Sequence, residues 1–119
     1  MGNHEKAEAA VREAVAIDER IGNMKGISGR HRSTLGQVLS AAGDHATALS
    51  EFFRTRPMLA EGYGEDSYDV AYCDILIAQE QLALGMEVTT SISAATQTLL
   101  NTLGENHPYT KKALALQSN

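Results

Sequence analysis

The chain has 119 residues, a length that fits one domain with a modest core. Hydrophobic residues make up 43% of the chain, but aromatic residues make up only 5% and tryptophan is absent, so a core of small aliphatic side chains between helices is favoured over a sheet. The formal net charge of −5 argues against general binding to nucleic acids or to anionic membranes.

Apolar periodicity divides the chain into six predicted helices. They cover residues 1–22, 26–42, 46–63, 68–84, 87–103 and 108 onward. The shortest connection is Gly43-Asp44, where Gly43 can adopt the left-handed conformation that ends a helix and Asp44 can accept the amide protons that begin the next one. Helices joined by so short a turn are expected to run antiparallel.

Several residues give further expectations about where the predicted helices begin and end. Pro57 removes a backbone donor inside the third predicted helix, so we expect a kink or an early stop there. Asp66 or Ser67 is expected to cap the fourth helix, and Pro108 suits the first position of the sixth. The fifth predicted helix begins in a run of threonine and serine with weak helical propensity.

The chain also repeats itself. Gly2-Asn3-His4 aligns with Gly43-Asp44-His45 at an offset of 41 residues, and Gly43 aligns with Gly85 at an offset of 42. A helix pair with a period near 40 residues is typical of a helical solenoid. We therefore predict an all-α stack of antiparallel helix pairs that forms a single domain over residues 1–119.

The best-formed repeat lies in residues 33–53 and resembles a tetratricopeptide repeat. The resemblance is carried by Leu35, Gly36, Leu39, Gly43, Ala48 and Phe52. The long period and the string at residues 103–108, Leu-Gly-Glu-Asn-His-Pro, are similar to the kinesin-light-chain-like branch of that family. The resemblance covers nearly the whole chain and implies a right-handed superhelical stack. Arg32 and Ala60 depart from the usual Trp and Pro of the motif, the register within residues 68–103 is open, and a HEAT-like or other helical-hairpin array is the alternative.

The resemblance also implies a function, because the first helix of each pair lines a concave groove in that family. The groove takes extended peptides or partner helices, without catalysis. Matching positions place seven residues on this groove, namely Arg30, Ser33, Gln37, Ser40, Tyr72, Ile75 and Gln79. Arg30 and Gln37 could donate hydrogen bonds to a carboxylate or a peptide backbone, while Tyr72 and Ile75 offer apolar contact. The other interpretation is that these residues coat an unused face.

The first predicted helix matches the second helix of a pair, so its own partner helix is missing. Val11 and Val15 lie on its apolar side and would lack one neighbour. We therefore expect the chain to be part of a longer protein or to pair through its N-terminal end. The alternative function is an assembly element that packs through these valines on a second copy, giving a homo-oligomer, or on a neighbouring domain of a regulatory protein.

The sequence predicts no catalytic site, no metal site and no cofactor. His4, His45 and His107 occupy equivalent turns one repeat apart, which is too far for them to share a metal. Cys73 has apolar neighbours and no nearby cation to activate it, and a single cysteine fits a reducing compartment. No signal peptide and no membrane-spanning stretch is recognisable, so we expect a cytoplasmic binding protein whose partner is a protein or peptide.

Overall fold

The computed structural model describes the backbone of residues 2–21 and 25–118 and the side chains of residues 5–14, 16 and 28–118. Over these backbone ranges the chain forms six helices and no strand, which confirms the predicted all-α class. The helices are α1 (Gly2–Ile21), α2 (Lys25–Ala41), α3 (His45–Tyr63), α4 (Tyr68–Ala83), α5 (Ile92–Leu103) and α6 (Pro108–Ser118). Each helix packs on the next one in the chain, and α4 also contacts α6. The result is a stack of helices.

The predicted caps are present at the turns. Gly43 has φ +90°, and the Asp44 side chain accepts a hydrogen bond from the Thr47 amide at 3.3 Å, so the α2–α3 connection forms as expected. Ser67 rather than Asp66 caps α4, because its Oγ accepts from the Val70 amide at 3.3 Å.

The helix end predicted near Tyr63 is confirmed, and of the two outcomes expected at Pro57, a kink or an early stop, the early stop is wrong, since α3 continues through it. Thr55 and Leu59 are buried on either side of the proline, at 0% and 2% exposure, while Pro57 itself points to solvent. Packing on both sides therefore keeps the segment helical across the missing backbone hydrogen bond.

The predicted start of the fifth helix is also wrong, because α5 begins at Ile92 and residues 87–91 are not helical. The threonines before it are held by side-chain hydrogen bonds instead. The Thr89 amide donates to Gln81 Oε1 at 3.1 Å, and Thr90 Oγ1 donates to the Asp74 carbonyl at 3.0 Å. These bonds compete with helix formation, and Ser91 then caps α5.

The core is centred on Phe52 of α3, whose side chain is fully buried and packs against α2. Gly36 of α2 lies directly against this ring, as a Cβ atom built there would be 2.5 Å from Phe52 Cε1. The absence of a side chain thus allows α2 to approach α3 closely. Arg56 adds a polar tie from α3 to α4, with Nε donating to Asp74 Oδ1 at 2.7 Å.

Cys73 leads to a prediction about alkaline stability. Its thiol is 1% exposed and donates to the Phe52 carbonyl at 3.5 Å, and burial raises the pKa of Cys73 to about 12. In the unfolded chain the thiol ionises near pH 8.5, so the stabilisation is complete below that pH and is lost progressively as the pH rises towards 12. We expect the free energy of unfolding in urea to fall by about 1 kcal/mol between pH 9 and 10 from this group.

The matched variant is Cys73→Ala, measured over the same pH interval. It removes the ionising thiol, so its stability should change less with pH than that of the wild type. Equal pH dependence of the two proteins would contradict the assignment.

Candidate functional site

Two open cavities lie side by side along α2, α4 and α6, with volumes of about 300 and 280 Å³. Gln37 lines both of them. Six of the seven residues that the sequence placed on a groove line one cavity or the other. They are Arg30, Ser33, Gln37 and Tyr72 in the larger cavity and Gln37, Ser40 and Gln79 in the smaller one. We refer to the two cavities together as the α2–α4–α6 groove.

Ile75 does not belong to the surface of this groove. Its side chain is 0% exposed and lies in the hydrophobic core, so it cannot offer the apolar contact that the sequence predicted for it. The reason is that α4 packs against α3, α5 and α6 and is buried over most of its circumference. Position 75 therefore faces other helices.

The larger cavity holds an arginine in a fixed orientation. Arg30 Nε donates to Asp69 Oδ1 at 3.0 Å, and Nη2 donates to Asp69 Oδ2 and to the Tyr68 hydroxyl, each at 3.2 Å. The guanidinium carbon is 4.3 Å from the centre of the Tyr63 ring. Hydrogen bonding to Asp69 raises the pKa of Arg30, so the guanidinium stays charged. Its Nη1 makes no hydrogen bond to any residue that the structure describes and is available to a ligand.

A pair of tyrosines forms the opposite wall of the larger cavity. The rings of Tyr72 and Tyr109 are stacked, with centroids 3.7 Å apart and planes 7° from parallel. The Tyr72 hydroxyl is 3.5 Å from Gln37 Oε1, to which it donates, and burial together with the neighbouring Tyr109 raises the pKa of Tyr72 to about 12. His107 packs edge-on against Tyr109 at 4.7 Å, and its Nδ1 accepts from the Tyr109 amide at 3.1 Å. The raised pKa keeps the Tyr72 hydroxyl protonated at neutral pH, so it stays a hydrogen-bond donor.

The smaller cavity contains a buried carboxylate. Glu80 is 1% exposed, its Oε2 accepts from Ser40 Oγ at 2.8 Å, and its Oε1 accepts from His45 Nδ1 at 2.7 Å. Lys112 of α6 lines the same cavity. The Ser40–His45–Glu80 cluster therefore ties α2, the start of α3 and α4 together.

This cluster has the residue types of a nucleophilic triad but not its geometry. In a triad the imidazole stands between the hydroxyl and the carboxylate and takes the hydroxyl proton. Here Ser40 donates directly to Glu80, and the same imidazole nitrogen, Nδ1 of His45, faces both partners, at 3.5 Å from Ser40 Oγ. The arrangement therefore does not activate the serine, and it acts as a structural tie.

Several groove residues were not predicted from the sequence. Tyr68, Asp69, His107 and Tyr109 line the larger cavity, although the sequence assigned His107 only to a turn. The repeat offset in the sequence could have predicted some of these residues. Arg30 and Asp69 are 39 residues apart, close to the predicted period, so positions one repeat apart come into contact.

No protein-family model, curated protein or solved structure matches the chain. Among the described residues there is no group of three His, Cys, Asp or Glu side chains arranged to hold a metal ion. No helix in the described ranges is both long enough and apolar enough to cross a membrane.

The predicted assembly surface is only partly within the described side chains. Val11 is half-buried and packs against the core of its own chain. Val15 lies outside the described side chains, so the prediction that these valines contact a second copy stays a prediction.

Proposed function

We propose that the chain is a non-catalytic protein–protein interaction module that binds a peptide in the α2–α4–α6 groove. We further propose that its helix pairs form a right-handed superhelical stack of the tetratricopeptide kind. The observation that carries the proposal is that six of the seven groove residues named from the repeat pattern line two adjoining cavities.

The polar groups of the groove suit a peptide backbone. Arg30 Nη1 carries two N–H groups with no partner among the described residues, and the Ser33 hydroxyl likewise has none. Gln37 Nε2 uses one hydrogen on the Ser33 carbonyl, at 3.4 Å, and retains a second. These donors lie along α2 and can reach successive carbonyl groups of an extended segment.

The test is a selection of binding peptides from a random dodecamer library, followed by affinity measurements on variants. The double variant Arg30→Ala, Gln37→Ala removes two groove donors, and we expect the dissociation constant of a selected peptide to rise by about tenfold or more, as loss of one charged hydrogen bond alone accounts for about 1.5 kcal/mol.

The matched control is Arg54→Ala, Gln97→Ala, which removes the same residue types from exposed positions on α3 and α5. It should bind like the wild type. Binding that is insensitive to the groove variant, or equally weakened by both, would contradict the proposed function, provided that thermal melts show all three proteins folded.

A further inference from the structure

Three of the four tyrosines of the chain line the larger cavity, although aromatic residues are rare elsewhere. The rings of Tyr68, Tyr72 and Tyr109 line the cavity, and Tyr63 lies beneath the Arg30 guanidinium. We call this the tyrosine cavity. We propose that it takes a proline-rich segment in the polyproline II conformation, an inference that rests on the peptide-binding function proposed above.

The charge of the tyrosine cavity argues against a strongly charged ligand. Arg30 and Asp69 neutralise each other through two hydrogen bonds, and no other Asp, Glu, Lys or Arg lines this cavity. An acidic peptide would have to compete with Asp69 for the guanidinium, and a basic peptide would have to displace Arg30 from Asp69. A segment without charge incurs neither penalty.

The hydrogen-bonding groups of the cavity are unequally divided between donors and acceptors. Asp69 offers little accessible acceptor surface, because its side chain is 10% exposed and both of its oxygens accept from Arg30, and the Gln37 carbonyl oxygen already accepts from Tyr72. Arg30 Nη1, one Gln37 hydrogen and the Ser33 hydroxyl have no partner among the described residues. The cavity therefore suits a ligand that supplies carbonyl oxygens but few N–H groups.

Proline meets this requirement because it has a carbonyl and no backbone N–H. In polyproline II the carbonyls make no internal hydrogen bonds and point outward, so they remain free to accept. The pyrrolidine rings pack on flat aromatic surfaces, such as the ring of Tyr109, which is only partly buried and rests on the buried ring of Tyr72. An ordinary extended peptide would bring one N–H for each carbonyl and find few acceptors.

The test is a titration of the ¹⁵N-labelled full chain with acetylated, amidated decaproline, followed by amide chemical shifts. A Gly-Ser decapeptide, decaglutamate and the peptides selected from the random library are titrated in parallel. We expect saturable shifts with decaproline, concentrated in residues 30–37, 68–72 and 107–110, and at least tenfold weaker binding of the Gly-Ser peptide.

The variant Tyr109→Ala should weaken decaproline binding by tenfold or more, and Phe53→Ala, which removes another aromatic side chain from the exposed face of α3, should leave it unchanged. If Tyr109→Ala does not fold, Tyr109→Leu is used instead with the same expectation. The titrations of the wild-type chain test the proposal even if neither variant folds.

The outcomes separate this inference from the function on which it rests. Selected peptides that bind the groove while decaproline does not, decaproline shifts elsewhere on the chain, or equal binding of the Gly-Ser peptide would overturn the proline-rich ligand and leave the groove intact. If no peptide of any kind binds in the groove, both proposals fail.

Discussion

Replacing Glu80 with alanine is expected to lower the free energy of unfolding by about 3 kcal/mol. The Glu80 carboxylate is 1% exposed and accepts hydrogen bonds from Ser40 and His45, so one side chain joins three helices. Alanine would leave both donors without their acceptor and would leave a cavity behind. This expected loss lies at the lower end of the range for breaking a buried ion pair. The reason is that His45, with 37% of its side chain exposed, can turn towards water.

Urea unfolding at neutral pH measures this effect. The control is Glu61→Ala, an exposed glutamate on α3, which should remain within about 0.5 kcal/mol of the wild type. Combining Glu80→Ala with His45→Ala should cost less than the sum of the two single changes, because both remove the same hydrogen bond. A Glu80→Ala protein as stable as the Glu61 control would refute the role given to the cluster.

Gly36→Ala is expected to destabilise the protein by about 2 kcal/mol, although alanine normally favours a helix over glycine by about 1 kcal/mol. The new Cβ would lie 2.5 Å from Phe52 Cε1 and 2.9 Å from Cδ1 and Cζ. Phe52 is fully buried at the centre of the core, so moving its ring away from the new Cβ would disturb the packing of the side chains around it. The steric cost therefore exceeds the gain in helix propensity.

Gly62→Ala is the matched control, because Gly62 is an exposed glycine within α3. It should be neutral or slightly stabilising. A second variant, Phe52→Leu, should relieve part of the penalty when it is combined with Gly36→Ala, which a double-mutant cycle in urea would measure. Gly36→Ala that is as stable as the wild type, or more so, would mean that α2 and α3 are not held together at this point.

The fold was largely predictable because residues at the helix ends indicate where most of the helices begin and end. The Gly43-Asp44 turn and the Ser67 cap follow from the chemistry of single residues. The two errors arose where distant contacts overrode local preference. Burial of Thr55 and Leu59 carries α3 through Pro57. The Gln81 side chain and the Asp74 carbonyl of α4 hold Thr89 and Thr90 before α5 begins.

The site was predictable only in part. The repeat pattern named residues of α2 that line the two cavities, but it could not show which side chains meet across helices. The Arg30–Asp69 and Ser40–Glu80 contacts join residues 39 and 40 positions apart, and only packing in three dimensions selects those pairs. Ile75 was wrongly predicted to lie on the groove surface. The repeat pattern indicates which face of a helix a residue occupies, but whether that face is buried depends on how many other helices pack against it.

The measurement that most directly tests the proposed function is a map of where a library-selected peptide binds. Amide chemical shifts of the ¹⁵N-labelled chain should change around Arg30, Gln37 and Ser40 of α2, Gln79 of α4 and Lys112 of α6. These residues line the α2–α4–α6 groove. Shifts confined to α1, or to the outer faces of α3 and α5, would contradict the account and show that the chain binds its partners elsewhere.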